Sequence, residues 1–520
     1  MKKTNSQLNT FFKTYGGYVI LAGIIALVVL FKFYHLSSLP PGLHPDEAAN
    51  GMDIFRILQN HDLRIVYSTN GPREALFFYI QAGFVAVLGN TILALRVAPA
   101  IFGILAVIFV YLYTKDWFGR RTALLAAFLL AVNPWVNTVS RDGFRASMVP
   151  FMIAIVAFLG GRAYKSGKAR YFALAAFFFG LGFYTYTAFA LFSLVVVSGL
   201  IYIAIWRRDW IKQNAKNLLI AFAVFIITLM PLVVTVVRHP SESVFRASST
   251  SFLNKDLNHG KPIQTFLEGT TKTLLQYNYQ GDENSRHNLP GQPLLNTFVG
   301  IMLILGLLVA FSRIGRVKYA AVIAMFFVMF LPAILTAEGL PHALRSIGTV
   351  ASVFTLSAIG IDYLLTRWYR TFPVNGPARS FGVVTISLLL ALTAIIGWRQ
   401  YFVAWAQDPQ TYVAYNESAV ALGDYLASHA SATNYVIAGG YETLPTAYLT
   451  NKKATYVLLD TKGLQDLPLA NGSMQFLLLA GDSVKAKIDI LQAKFPNGQL
   501  TPHFSSFNDK LLFYSFQVNS

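Results

Sequence analysis

Apolar runs of about 17 to 25 residues recur along this 520-residue chain, each long enough to cross ~30 Å of hydrocarbon as a helix. Candidate spans lie at 18–34, 92–113, 122–139, 148–164, 218–237, 294–311, 319–335, 347–365 and 381–398. The run 171–206 would be about 54 Å long as one helix, so it is expected to fold as two spans broken near Tyr184, Thr185, Tyr186 and Thr187. The sum is a polytopic α-helical membrane protein of about 11 transmembrane helices. The first span follows Lys2 and Lys3 and lacks a small-residue cleavage site after it, so it reads as a retained anchor.

Basic clusters orient these spans. Lys165, Lys168 and Arg170 precede the 171–206 run, and Arg207, Arg208, Lys212 and Lys216 follow it. The positive-inside rule places both clusters in the cytoplasm, which requires an even number of crossings between them. The same parity excludes the apolar segment 75–89 as a span and makes it a helix lying in, or dipping into, the outer interface. The amino terminus is then cytoplasmic. The extracytoplasmic face carries a first loop over about 35–91, a turn at 140–147, a long loop over about 238–293, a turn at 337–345 and everything after residue 398.

After residue 398 the pattern changes to short apolar runs separated by Asn, Gly, Ser and Asp. Helical stretches at 417–429 and 484–495 and strand-like ones at 434–438, 454–460, 474–480 and 510–518 predict a small extracytoplasmic α/β domain, 399–520, after a membrane domain, 1–398.

Composition fits this reading: 55% of residues are hydrophobic and 13% charged, against ~25% charged in an ordinary soluble domain. The absence of cysteine excludes disulfides, thiolate metal sites and a Cys nucleophile. A net charge of +18 would suggest nucleic acid in a soluble protein. On the expected topology, however, the cytoplasmic residues carry +17 of it (20 basic and 3 acidic residues), so the excess is an orientation signal and nucleic acid is not an expected partner.

Chemistry concentrates just outside the first span. In Leu43-His44-Pro45-Asp46-Glu47 the proline and two acids mark a helix start, and a carboxylate held there can also act as a general base. Arg73 with Glu74, Arg96, Arg141, Arg145, His342 and Arg345 also fall at expected outer helix ends, where positive charge is disfavoured. A guanidinium there suits phosphate, because its fork donates two hydrogen bonds and stays charged. His44, Glu74, Tyr184 and Tyr186 are candidates for sugar or acceptor contacts, with interface anchoring the plainer role for both tyrosines. His44, His61, His287 and His342 with Asp46 and Glu47 leave a divalent cation possible, but no metal-ligand spacing appears and no metal ligand is assigned. Tyr277, Tyr279, Asp282, Glu283 and Arg286 of the long loop would be a lid or a plain connector.

Over about 18–398 the chain resembles the membrane glycosyltransferases of GT-C type that use polyprenyl-phosphate-linked sugars, the protein O-mannosyltransferase and lipid A aminoarabinose transferase group. The carriers are Asp46-Glu47, the segment from Gly71, Ala94-Leu95-Arg96, Trp117-Phe118-Gly119-Arg120 and Ser140-Arg141. Many relatives have Lys-Pro-Pro or His-Pro-Pro where this chain has Pro72-Arg73-Glu74. The resemblance implies inverting transfer from a polyprenyl-phosphate sugar to an acceptor hydroxyl on the outer face. Asp46 would be the base, Glu47 would orient base or acceptor, and the outer arginines would hold the donor phosphate. The acceptor class stays open between protein, glycolipid and polysaccharide. The rival is a multi-pass transporter or lipid flippase, whose polar residues should sit at mid-membrane depth. Here the unusual charges lie at span ends instead.

Overall fold

Long uninterrupted apolar stretches leave the backbone no polar partner but itself, so they fold as helices. The computed structural model describes residues 2–240, 249–429, 433–451, 453–467, 473–481, 484–507 and 509–518, with backbone alone over 2–15. Residues 241–248 of the expected long loop lie outside the described residues. Among the described residues, eight helices are long and apolar enough to cross a membrane, or nine if a bent pair counts as one span. Two more expected spans occur as shorter apolar helices, Ala169–Gly182 and Thr297–Phe311, of 14 and 15 residues. Leu76–Leu88, the segment excluded by parity, is a 13-residue helix.

Two departures from the hydropathy pattern have local causes. The expected span 122–139 is broken into Arg120–Val132 and Pro134–Arg141, bent by 62°. Proline restricts the residue before it to extended backbone, and Asn133 accordingly has φ −75°, ψ 126° and caps the second helix by accepting from the Val136 N–H. At the start of the 294–311 run, Leu294 and Leu295 pair by their N–H groups with the carbonyls of Gln276 and Tyr277, and the helix begins only after the Asn296 cap. The 171–206 run breaks between Gly182 and Thr187, as the span-length argument requires.

Two compact units interleave along the chain. The first comprises Met1–Tyr34, Arg64–Phe77 and Pro99–Trp405. It is a helical bundle in which glycine permits close backbone contact: a Cβ at Gly306 would lie 1.9 Å from the Leu356 carbonyl oxygen. The second comprises His35–Leu63, Phe78–Ala98 and Ala406–Ser520, so the expected first outer loop is divided between the units.

The second unit holds a five-stranded sheet of β3 (Thr433–Ile437), β4 (Tyr456–Leu459), β5 (Met474–Leu479), β6 (Gln499–Phe504) and β7 (Leu511–Val518), in the order β4-β3-β5-β7-β6. β3 is parallel to both neighbours, and β7 is antiparallel to β5 and β6. Side chains alternate across the strands: Phe476 and Leu478 pack with Leu491 of the Val484–Lys494 helix and with Phe495 just after it, and Leu477 packs with Leu422 and Leu426 of the Glu417–Ser428 helix. Strand β6 was absent from the pattern reading because Pro502 and His503 interrupt its apolar alternation. The edge helix Leu444–Thr450 packs on helix α2 (Pro45–Asn60). A Cβ at Gly51 would lie 2.3 Å from the Tyr448 ring, and that ring stacks on Phe55 at 5.3 Å.

Candidate active site

In the second unit the site begins at the first turn of α2. His44 is extended and caps the helix, its Nδ1 accepting from the Asp46 N–H at 3.0 Å while the Glu47 carboxylate accepts from the His44 N–H at 3.3 Å. This reciprocal arrangement, with Pro45 at the first helical position, satisfies donors that a helix start leaves open. It also separates the roles of the two acids. Glu47 is 1% exposed and pairs with Arg96, itself fully buried, at 3.2 Å. The Asp46 side chain is 38% exposed.

Arg96 completes the Glu47 clamp. Its Nη1 donates to the Pro40 carbonyl at 2.7 Å, its Nη2 to the Gly42 carbonyl at 2.8 Å, and its Nε to Glu47 at 3.2 Å. A buried charge needs this full set of partners. The Asp46 carboxylate has His44 Nδ1 at 3.5 Å on one oxygen and accepts a 2.5 Å hydrogen bond from the Tyr441 hydroxyl on the other. Tyr441, 395 residues along the chain, was not a sequence candidate. Nothing in its local motif marks it, because its position depends on the Leu444–Thr450 helix packing on α2.

In the first unit, Arg141 is fully buried at the end of the Pro134–Arg141 helix. It donates to the carbonyls of Phe31, Lys32 and Tyr34 at 2.7 to 2.9 Å and to the Tyr401 hydroxyl at 3.1 Å. It thus closes the carboxyl end of α1 (Lys2–Phe33), where free carbonyls and the helix dipole favour a cation. Arg73 and Glu74 form the short strand β2, paired antiparallel with β1 (Val66–Tyr67). Successive strand residues point oppositely, so Arg73 and Glu74 face different ways. Glu74 pairs with Arg145, whose guanidinium also lies 6.0 Å from the Tyr186 ring centre. Tyr184 is committed elsewhere: its hydroxyl donates to the Thr228 carbonyl and accepts from the Leu232 N–H, beside Pro231 in the Arg208–Arg238 helix.

The turn after residue 336 gathers a second polar group. Arg345 pairs with Glu338 at 2.5 Å, and that Arg345 side chain is 11% exposed. Asp282, His287 and His342 present one ligand atom each within 4.8 Å of one another. His287 Nδ1 is 2.9 Å from Asp282 Oδ2, which also accepts from the Ala343 N–H at 2.8 Å, and the two imidazoles stack at 4.7 Å. Burial, and secondarily the charges of Arg286 and Arg345, lowers the His287 pKa against the pull of Asp282. A neutral imidazole is the form that binds a metal. Asp282 was expected only as part of a lid or connector; the fold makes it a candidate ligand.

The fold, a multi-pass helical unit and a small α/β layer, is similar to that of solved membrane glycosyltransferases. Residues 73–234 match the family model described as dolichyl-phosphate-mannose-protein mannosyltransferase. Over 125 residues the chain is 28% identical to YkcB of Bacillus subtilis, provisionally named a mannosyltransferase, a match covering 24% of this chain and 17% of that relative's length. ArnT from Cupriavidus metallidurans, solved with undecaprenyl phosphate, superposes with a TM-score of 0.56 at 14% identity, over 96% of this chain and 98% of that one. The oligosaccharyltransferase AglB of Archaeoglobus fulgidus, solved with an inhibitory peptide and a dolichol-phosphate, superposes with a TM-score of 0.52 at 15% identity, over 84% of this chain and 64% of that one. An AglB structure with Zn and sulfate gives a TM-score of 0.54 at 13% identity, over 95% of this chain and 72% of that one.

Proposed function

We propose that the chain is an inverting glycosyltransferase that moves a sugar from a polyprenyl-phosphate donor to an acceptor hydroxyl at the extracytoplasmic face. The observation that carries this reading is the division of labour at α2: Glu47 is buried in an ion pair, while the neighbouring Asp46 carboxylate stays accessible. Asp46 takes the acceptor proton as the acceptor oxygen attacks the anomeric carbon. The bond from that carbon to the phosphate oxygen breaks on the opposite side, and polyprenyl phosphate leaves with the negative charge. The configuration inverts. The matched family and the lipid phosphates bound to ArnT and AglB support a lipid-linked donor, and the AglB peptide supports a protein among the possible acceptors.

Arg145 and Arg345 suit the donor phosphate better than Arg96 and Arg141. The last two are fully buried, and their guanidinium donors go to backbone carbonyls, to Glu47 or to Tyr401. Arg145 is paired with the side chain of Glu74, and Arg345 with the side chain and carbonyl of Glu338; a phosphate can replace those carboxylates as a competing anion. The two-histidine, one-carboxylate set of Asp282, His287 and His342 suits a divalent cation of the zinc class. The basic clusters at 115–121, 162–170, 207–216, 313–318 and 367–379 support an inner amino terminus and an outer α/β layer. The test is Asp46→Asn: loss of sugar release from a mannosyl-phosphoundecaprenol probe, with membrane insertion intact, supports the base. Full turnover in that variant refutes it.

A further inference from the structure

The Tyr441 hydroxyl makes the same contact with Asp46 that a general base makes with its substrate. An O–H donor stands 2.5 Å from a carboxylate oxygen, at the short end of hydrogen-bond reach. The phenol comes from the loop that follows β3, Gly439-Gly440-Tyr441-Glu442. Two hydrogen bonds brace that loop, and the helix after it packs on α2. Thr443 Oγ1 donates to the Gly440 carbonyl at 2.9 Å and Asn416 Nδ2 to the Glu442 carbonyl at 2.9 Å. The adjoining helix is seated by the Tyr448 ring over Gly51 and Phe55.

We propose that Tyr441 is a positioning residue for Asp46, so that the α/β layer completes the transfer site instead of serving only as an appended domain. This rests on the reading of Asp46 as the base. A carboxylate at the second helical position, 38% exposed, can rotate among several rotamers. A donor fixed to Oδ1 favours one of them, and with it the direction in which the carboxylate meets the acceptor hydroxyl. Removing the phenol oxygen keeps the ring and its packing but takes the hydroxyl donor from Oδ1. The effect should therefore fall on turnover, with donor binding unchanged.

The experiment is a double-mutant cycle read with the mannosyl-phosphoundecaprenol probe in membrane vesicles. Tyr441→Phe is expected to lower kcat about tenfold or more, the size of one lost hydrogen bond to a charged group, with donor KM unchanged. In the Asp46→Asn background the same change should have no further effect, because the amide that replaces the carboxylate can still accept a hydrogen bond but cannot act as the base. Unaltered or increased kcat in Tyr441→Phe overturns the proposal, as does an equal loss in both backgrounds. The two failures are separable, since full turnover in Asp46→Asn alone sinks the base while leaving the contact to be tested. For the contact, the chain's lack of cysteine allows a direct readout: Asp46→Cys with Tyr441→Cys should crosslink with a short bismaleimide. Absence of that crosslink in the inserted protein overturns the positioning role whatever the turnover.

Discussion

The first turn of α2 and the turn after residue 336 both collect charged groups from distant parts of the chain, and they treat them differently. At α2 one acid of an adjacent pair is neutralised by a buried arginine, and the other is left accessible with a phenol on one oxygen. Near residue 342 a buried carboxylate is shared by an imidazole and a backbone N–H, and a second imidazole stacks on the first. The first arrangement leaves a carboxylate that solvent can reach. The second brings two imidazoles to one buried carboxylate. Adjacent residues thus acquire different chemistry from burial, since a charge taken from water must be paired or coordinated.

The largest effect expected from breaking this contrast is catalytic. Asp46→Asn should reduce turnover about 10²- to 10⁴-fold, measured as sugar released from the lipid donor, with unchanged thermal unfolding. Its neighbour should behave in the opposite sense. Glu47→Ala leaves the Arg96 guanidinium buried without its carboxylate and should destabilise the protein by about 3–5 kcal/mol, seen as a lowered Tm in detergent. At the second region, elemental analysis of purified protein should find about one divalent ion per chain, lost when His287 and His342 are both replaced by Ala. Retention of a full equivalent in that variant would place the ion elsewhere. Arg345→Ala should raise donor KM about three- to tenfold with little change in kcat. The smallest effect belongs to a pair outside both regions: Asp362→Asn, which removes the 2.5 Å partner of a half-exposed Arg121, should cost less than about 1 kcal/mol.

Much of this was legible along the chain. Span length and the proline-acid start at 45–47 depend on neighbours a few residues apart, which is why the α2 cap and the break after Gly182 follow from local pattern. The bend at Asn133 was also written locally, in an Asn-Pro pair that hydropathy averages away. The fate of each arginine was not legible. Arg96, Arg141, Arg145 and Arg345 look alike as basic residues at helix ends, yet the first two are fully buried and donate to backbone carbonyls from distant segments, while Arg145 and Arg345 keep some exposure and pair with Glu74 and Glu338. That distinction depends on carbonyls more than 50 residues away for Arg96 and more than 100 for Arg141.

Hydropathy and charge order by themselves determined a multi-pass helical protein with a small α/β layer and an acid pair at a helix start, because each is a property of consecutive residues in contact with solvent or lipid. Tertiary structure alone decided that Glu47 is a clamp and Asp46 is accessible, that Tyr441 reaches Asp46 across 395 residues, and that Asp282 joins His287 and His342. Whether a polar group is spent on stability or left for chemistry depends on the partners that folding brings to it and on the water that folding removes.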